Sequence, residues 1–204
     1  MPFNLNIKAR LKDPLFTFRV FERFIALFCT SIPILLWLTD GMSAHPFRPS
    51  ISNYVYMPHS YVFGMLLCIA AMLFIFNGAV YYRNEPRMHI SVHGQWYNVV
   101  LGLSLIGVIC FPHLNYPVPH YFFATIFFLG NAVVTGLFFK DKDRIISIIL
   151  ALVTVAALPL GLFTHLISLL AAEWISLLAI SIHFFLSTIS MNEPVNIRHQ
   201  QQLK

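Results

Sequence analysis

Glu173 is the residue whose chemistry the rest of the chain has to accommodate. It lies inside Leu166 to Ser190, an apolar run of membrane-spanning length. The other seven acids, Asp13, Glu22, Asp40, Glu85, Asp141, Asp143 and Glu193, fall in tails, loops or at the edges of such runs. A carboxylate in hydrocarbon costs several kcal/mol unless it is protonated, paired or facing water, so an acid in that position marks a functional site. With the chain threaded as alternating spans, His113, His120 and the loop from Arg48 to Tyr56 fall at the depth of Glu173. A histidine partner favours the ionised carboxyl, whereas burial favours the neutral one. Glu173, Ser176, His183, Ser187 and Ser190 follow at spacings of three, seven, four and three. They therefore share one helical face. That face is expected to look into the bundle, with the leucines and phenylalanines of the same span facing lipid.

Three kinds of chemistry suit this arrangement. A Glu–His or Glu–Asn contact would hold helices together. A polar pocket open to the outer side would take a lipid head group or small ligand. A hydrolase or acyltransferase would use the outer histidines as bases or metal ligands. The histidines are scattered, with no H-x-x-x-H or H-E-x-x-H spacing, so neither a metal nor another cofactor is expected. Cys29, Cys68 and Cys110 all lie in apolar runs without a C-x-x-C pair, which makes them packing residues.

The elements that position these residues follow from composition. The chain has 204 residues, 58% hydrophobic and 10% charged, against about 25% charged in soluble domains. The net charge of +5 sits in short basic clusters between apolar runs. That pattern orients a membrane protein and gives no footprint for nucleic acid. The reading is all-α: an integral membrane bundle of six transmembrane helices. The spans are Phe21 to Leu38, Ser60 to Tyr82, Tyr97 to Phe111, His120 to Phe139, Ile145 to Leu158 and Leu166 to Ser190. Residues 1–20 form a basic amphiphilic interfacial segment, 21–190 the transmembrane domain and 191–204 a polar tail. The first span is read as an uncleaved anchor. Twelve of the thirteen basic residues fall on the side of the tails and Arg48 alone on the other, which places both termini in the cytoplasm.

Local features carry their own expectations. Pro33 should kink the first span, with Thr30 satisfying the carbonyl it frees. Gly64, Cys68, Ala71 and Gly78 give the second span a face of small residues for close helix approach. Asn131 shares a face with His120, Ala124 and Thr135 and is expected to hydrogen-bond between helices. Pro159 and Gly161 should stop the fifth span.

Three stretches resemble a six-span family that includes the damage-regulated autophagy modulators (DRAM), a Golgi factor for GPI-lipid remodelling and many bacterial relatives. They are Ser50-Ile51-Ser52-Asn53-Tyr54-Val55-Tyr56 running into Val62-Phe63-Gly64, Asn98-Val99-Val100-Leu101-Gly102 through Phe111-Pro112-His113 to His120-Tyr121-Phe122-Phe123-Ala124, and Ala172-Glu173-Trp174. Ser52, His120, Glu173 and Trp174 match the shared pattern. The chain departs from it at Asn53, where bacterial members often carry an acid. The resemblance implies a lipid-associated protein of a bacterial inner (plasma) membrane. The expected function is lipid binding or handling through an outer-side polar pocket. The alternatives are a membrane-embedded hydrolase or acyltransferase acting on a lipid, and a non-catalytic subunit or assembly factor of a membrane complex. The candidate ligand-binding residues are Glu173, His120, His113, Ser52, Asn53, Trp174 and Ser176. The expected partners are membrane lipids and, from twenty phenylalanines and the amphiphilic start, a membrane protein.

Overall fold

A computed structural model describes residues 14–41, 47–88, 96–137, 144–164 and 166–190. The segment expected over 1–20 lies mostly outside the described residues, as do His89, His93, the charged turn at 140–143, His165 and the 191–204 tail.

The described residues are helical, without a strand among them. Apolar runs of this length satisfy their own backbone groups by coiling. The helices are α1 (Pro14–Thr39), α2 (Ser60–Met88), α3 (Tyr97–Cys110), α4 (Pro117–Leu137), α5 (Arg144–Pro159) and α6 (Leu169–Ser190), with a short 3₁₀ helix at Ile51–Tyr56. By length and composition, five helices are long and apolar enough to cross a membrane, all but α3. At 14 residues and ~1.5 Å per residue, α3 falls short of a hydrocarbon core about 30 Å thick.

Each helix packs on its neighbours in sequence and α6 closes on α1, so the helices form a ring. Glu22 of α1 meets Ser187 of α6 and Thr30 meets Ser181, while Trp37 shares a cavity wall with Leu170 and Trp174. The two helices therefore run antiparallel, and the start of α1 lies beside the end of α6. Inside the ring, the buried Phe74 ring meets Phe127 and Phe184 edge-on at 5.6 and 5.5 Å. Such edge-to-face pairs add to the area they bury. Phe184, Leu177 and Leu170 thus turn inward, against the expectation that the large residues of α6 face lipid.

Other expectations need correcting. Helix α1 starts at Pro14, a residue suited to a first helical position, so Glu22 lies inside a candidate span and is fully buried. Glu173 is therefore not the only acid within a span. Ser187 donates to the Glu22 carboxyl at 3.0 and 3.1 Å, joining α6 to α1. Thr30 donates to the Ala26 carbonyl at 3.0 Å, three residues before the Cys29 carbonyl that Pro33 frees, so the expected correction is not made there. Asn131 donates to Phe127 in its own helix. The interhelical amide pair is instead Asn98 Nδ2 to Asn77 Oδ1 at 2.5 Å, both residues fully buried. Pro159 and Gly161 do not end the fifth span. The chain runs on through a π segment, Leu160–Thr164, where Thr164 Oγ1 returns to the Leu160 carbonyl at 2.7 Å.

Close approach occurs where α2 meets α3, though not along the whole small-residue face. A Cβ at Gly102 would lie 2.6 Å from the Ala71 carbonyl, and one at Gly78 2.8 Å from the Val99 amide. Gly64 faces open space and Cys68 is exposed. Gly102→Val is expected to destabilise the bundle by about 1–3 kcal/mol through overpacking, read as a lowered thermal midpoint in detergent. Gly64→Val should leave that midpoint nearly unchanged, and equal effects would contradict this packing.

Candidate functional site

The site is built where the chain crosses from α1 to α2. Gly41, with φ of 74°, turns the chain away from α1, in a conformation that suits a residue without a Cβ. Arg48 then returns to Asp40 as a two-pronged ion pair, Nε to Oδ2 at 2.7 Å and Nη2 to Oδ1 at 2.8 Å. Bidentate pairing of this kind fixes geometry as well as charge. The hydrogen bond to Asp40 pushes the Arg48 pKa up further, and burial raises that of Tyr54, whose ring lies 5.8 Å beneath the guanidinium.

Ser50 caps the 3₁₀ helix. Its Oγ accepts from the Asn53 amide at 3.3 Å and from Asn53 Nδ2 at 2.7 Å, and it shares a hydrogen bond with Ser52 Oγ at 3.0 Å. The cap leaves the first amide of the helix for a distant partner. Ile51 N–H donates to Glu173 Oε2 at 2.5 Å, and one turn away Leu170 N–H donates to the Pro49 carbonyl at 2.8 Å. Two bonds thus clamp the loop onto the start of α6. Glu173 meets the loop, one of the partners its depth allowed, and no hydrogen bond joins it to His113 or His120. Its Oε1 has no hydrogen-bond partner among the described residues.

Glu173, Ser52, Ala124 and Phe128 form a wall shared by two cavities. One is an apolar chamber of about 50 Å³ inside the ring, reaching Cys29, Phe74 and Leu105. The other, about 310 Å³, is partly open and lies among the 3₁₀ helix, α4, α5 and α6. Ser50, Ser52, Asn53, His113 and Glu173 give it polar groups, while α4 and α5 with the π segment supply Phe128, Leu129, Leu158, Leu162 and Phe163, with the Tyr121 and Thr125 hydroxyls among them.

Four of the seven expected site residues, Glu173, Ser52, Asn53 and His113, therefore line one cavity. The other three do not line it. His120 is buried behind His113, their rings 5.5 Å apart, and its Nδ1 is 2.8 Å from the Phe111 carbonyl at the end of α3. Trp174 projects to the other side of α6, into a separate cavity of about 120 Å³ with Trp37, Phe47 and Tyr54. Successive helical residues are about 100° apart, so Trp174 cannot share the outlook of Glu173. Ser176 is fully buried and donates to the Ala172 carbonyl at 2.9 Å. The α4 and α5 wall, and Tyr56, were missed from sequence. Tyr56 packs edge-on to His113 at 5.3 Å and accepts the Leu114 amide at 3.0 Å, tying the 3₁₀ helix to the α3–α4 turn.

His113 Nδ1 is buried without a hydrogen-bond partner. Burial, and then the proximity of His120, hold the His113 pKa below its ordinary 6.5. The ring therefore tends to be neutral at pH 7. Ser52 Oγ has Ser50 as its hydrogen-bond partner, and no base contacts it among the described residues. No group of three or more His, Cys, Asp or Glu is placed to hold a metal ion among those residues.

The fold and site thus define a helical bundle with membrane-length apolar helices and a cavity lined on one side by polar groups. The chain belongs to a family of unknown function, DUF7103, whose profile matches residues 31–188 and so takes in every residue of the cavity. No curated protein and no solved structure matches it.

Glu173→Ala leaves the Ile51 amide without an acceptor and is expected to lower stability by about 1–3 kcal/mol. Glu173→Gln keeps an acceptor oxygen and should lower it much less. Thermal unfolding of both variants in one detergent checks this, and equal losses would contradict the clamp. His113 gives a pH test. With its folded pKa below 6.5, the folded state binds this proton later than the unfolded chain as pH falls. The contribution to stability is full above that value and is lost as pH falls toward the folded pKa. His113→Gln should flatten the thermal-stability profile over that window, and a profile as steep as the parent's would count against it.

Proposed function

We propose that this chain is a six-span membrane protein, with both termini in the cytoplasm, that binds a lipid or lipid-like amphiphile in the cavity beside Glu173. The closed ring supports the span count. Although α3 is short, it packs between two longer helices, α2 and α4, where neighbouring protein can shield the ends of a helix that does not match the full hydrocarbon thickness. The basic residues support the orientation, since Arg19, Arg23 and Arg144 lie toward the ends where α1 begins, α6 finishes and α5 starts.

The observation that carries the functional reading is the division of the larger cavity. Polar groups from the 3₁₀ helix, the α3–α4 turn and α6 face a mainly apolar wall from α4 and α5, in which Tyr121 and Thr125 carry hydroxyls. An amphiphile has the matching division, with a head needing hydrogen bonds and a chain needing hydrocarbon. Phe163 at the rim is 74% exposed, leaving the apolar side continuous with the outer surface that surrounding lipid would cover. The likeness of the stretches Ser50–Gly64, Asn98–Ala124 and Ala172–Trp174 to the DRAM and GPI-lipid remodelling group supports the same reading, because that resemblance implies a lipid-associated protein. The proposed location is a bacterial inner membrane.

Protein purified in mild detergent is expected to retain a lipid that solvent extraction and mass spectrometry identify. Leu158→Trp, which fills the cavity, should lose that lipid, whereas Ile149→Trp on the outer face of α5 should keep it. An extract without bound lipid, or equal retention by the two variants, would contradict the proposal.

A further inference from the structure

Among the described residues, the larger cavity is lined by a carboxyl group and by no Lys or Arg. The guanidinium nearest in sequence, Arg48, is engaged twice by Asp40. His113 is the one lining histidine among the described residues, and its half-buried ring, next to a second imidazole, is held toward its neutral form. Two unpartnered acceptors stand in the polar wall among the described residues, Glu173 Oε1 and His113 Nδ1, while the Ser50, Ser52, Tyr121 and Thr125 hydroxyls can accept as well as donate. The Ile51 N–H is already taken by Glu173 Oε2. Asn53 Nδ2 is turned toward Ser50.

A phosphate head entering this cavity would leave its charge uncompensated beside a carboxyl group in a low-dielectric setting. A head carrying O–H or N–H groups would instead give the unpartnered acceptors what they lack. We infer that the cavity selects an amphiphile whose head group donates hydrogen bonds and bears no net negative charge, with a hydroxyl or ammonium hydrogen directed at Glu173 Oε1. This rests on the amphiphile-binding reading above and narrows it to a head-group class. Hydroxyl and ammonium heads share the required chemistry. They differ in how they meet Glu173, the hydroxyl by a hydrogen bond and the ammonium by a hydrogen bond within an ion pair.

The test uses the full chain in phosphatidylcholine nanodiscs doped with one of three single-chain probes, with adducts counted by native mass spectrometry. The probes are 1-monooleoylglycerol, an uncharged diol; oleylamine, an ammonium; and lysophosphatidylglycerol, a phosphodiester anion. The diol or the amine should be retained roughly tenfold or more over the anion, and the better of those two identifies the head. Glu173→Gln, which keeps an acceptor for Ile51, should lower retention of that probe about tenfold. His113→Lys brings a cation to the wall and should shift preference toward lysophosphatidylglycerol. Equal or better retention of lysophosphatidylglycerol by the parent protein would overturn the head-group inference while leaving amphiphile binding intact. Retention of none of the three would overturn both.

Discussion

The hydrogen bond from the Ile51 amide to the Glu173 carboxyl is the contact on which the site depends. It answers two problems at once. A buried backbone N–H at the start of the 3₁₀ helix needs an acceptor, and a carboxyl group at the head of α6 needs a donor. The Leu170 amide to the Pro49 carbonyl repeats the attachment beside it. Together with the Asp40–Arg48 pair, these bonds turn a connecting loop into one wall of a cavity. The carboxyl group is thereby divided in use, with one oxygen holding the loop and the other without a partner among the described residues. The structural and ligand-binding roles considered for Glu173 are therefore compatible, since they belong to different oxygens.

Two polar groups inside the bundle serve mainly to fix helix register. Ser187 donates to Glu22 between α6 and α1, and Asn98 donates to Asn77 between α3 and α2. In a setting where apolar surface alone discriminates poorly between helix registers, polar contacts and small residues set which helices meet and how closely. Gly78 and Gly102 do this for α2 and α3 by letting backbone approach backbone. The larger cavity lies where these constraints are fewer, beside the π segment that follows Pro159.

The helices were legible because membrane-length apolar runs admit few other structures, and their boundaries agree with the expected spans to within a few residues, apart from the start of α1, the end of α2, which runs on to Met88, and the end of α5. The exceptions in α1 and α5 have readable causes. Pro14 opens a first helical turn in a stretch whose basic residues read as tail, which puts Glu22 at an edge in sequence and inside the helix in the structure. Pro159 reads as a stop, but a widened π turn carries the chain on to Thr164. Glu173, Ser52, Asn53 and His113 were identified as candidates from sequence, and the fold places them around one cavity. Helical geometry alone separates Trp174 from that group, since its neighbour in sequence points elsewhere. The apolar wall was not legible. Leu129, Leu158 and Phe163 resemble any lipid-facing residue until the packing of α4 and α5 sets them opposite the polar wall.

The proposed amphiphile lies against the α4 and α5 wall and presents its head to Glu173. The most direct measurement is photo-crosslinking with a single-chain lipid carrying a diazirine near its head, followed by peptide mapping. The account predicts crosslinks concentrated on Leu129, Leu158, Leu162 and Phe163 that disappear in Leu158→Trp. Crosslinks spread evenly over the outward-facing residues of all helices, Leu27 and Met65 included, and unchanged in that variant would contradict it.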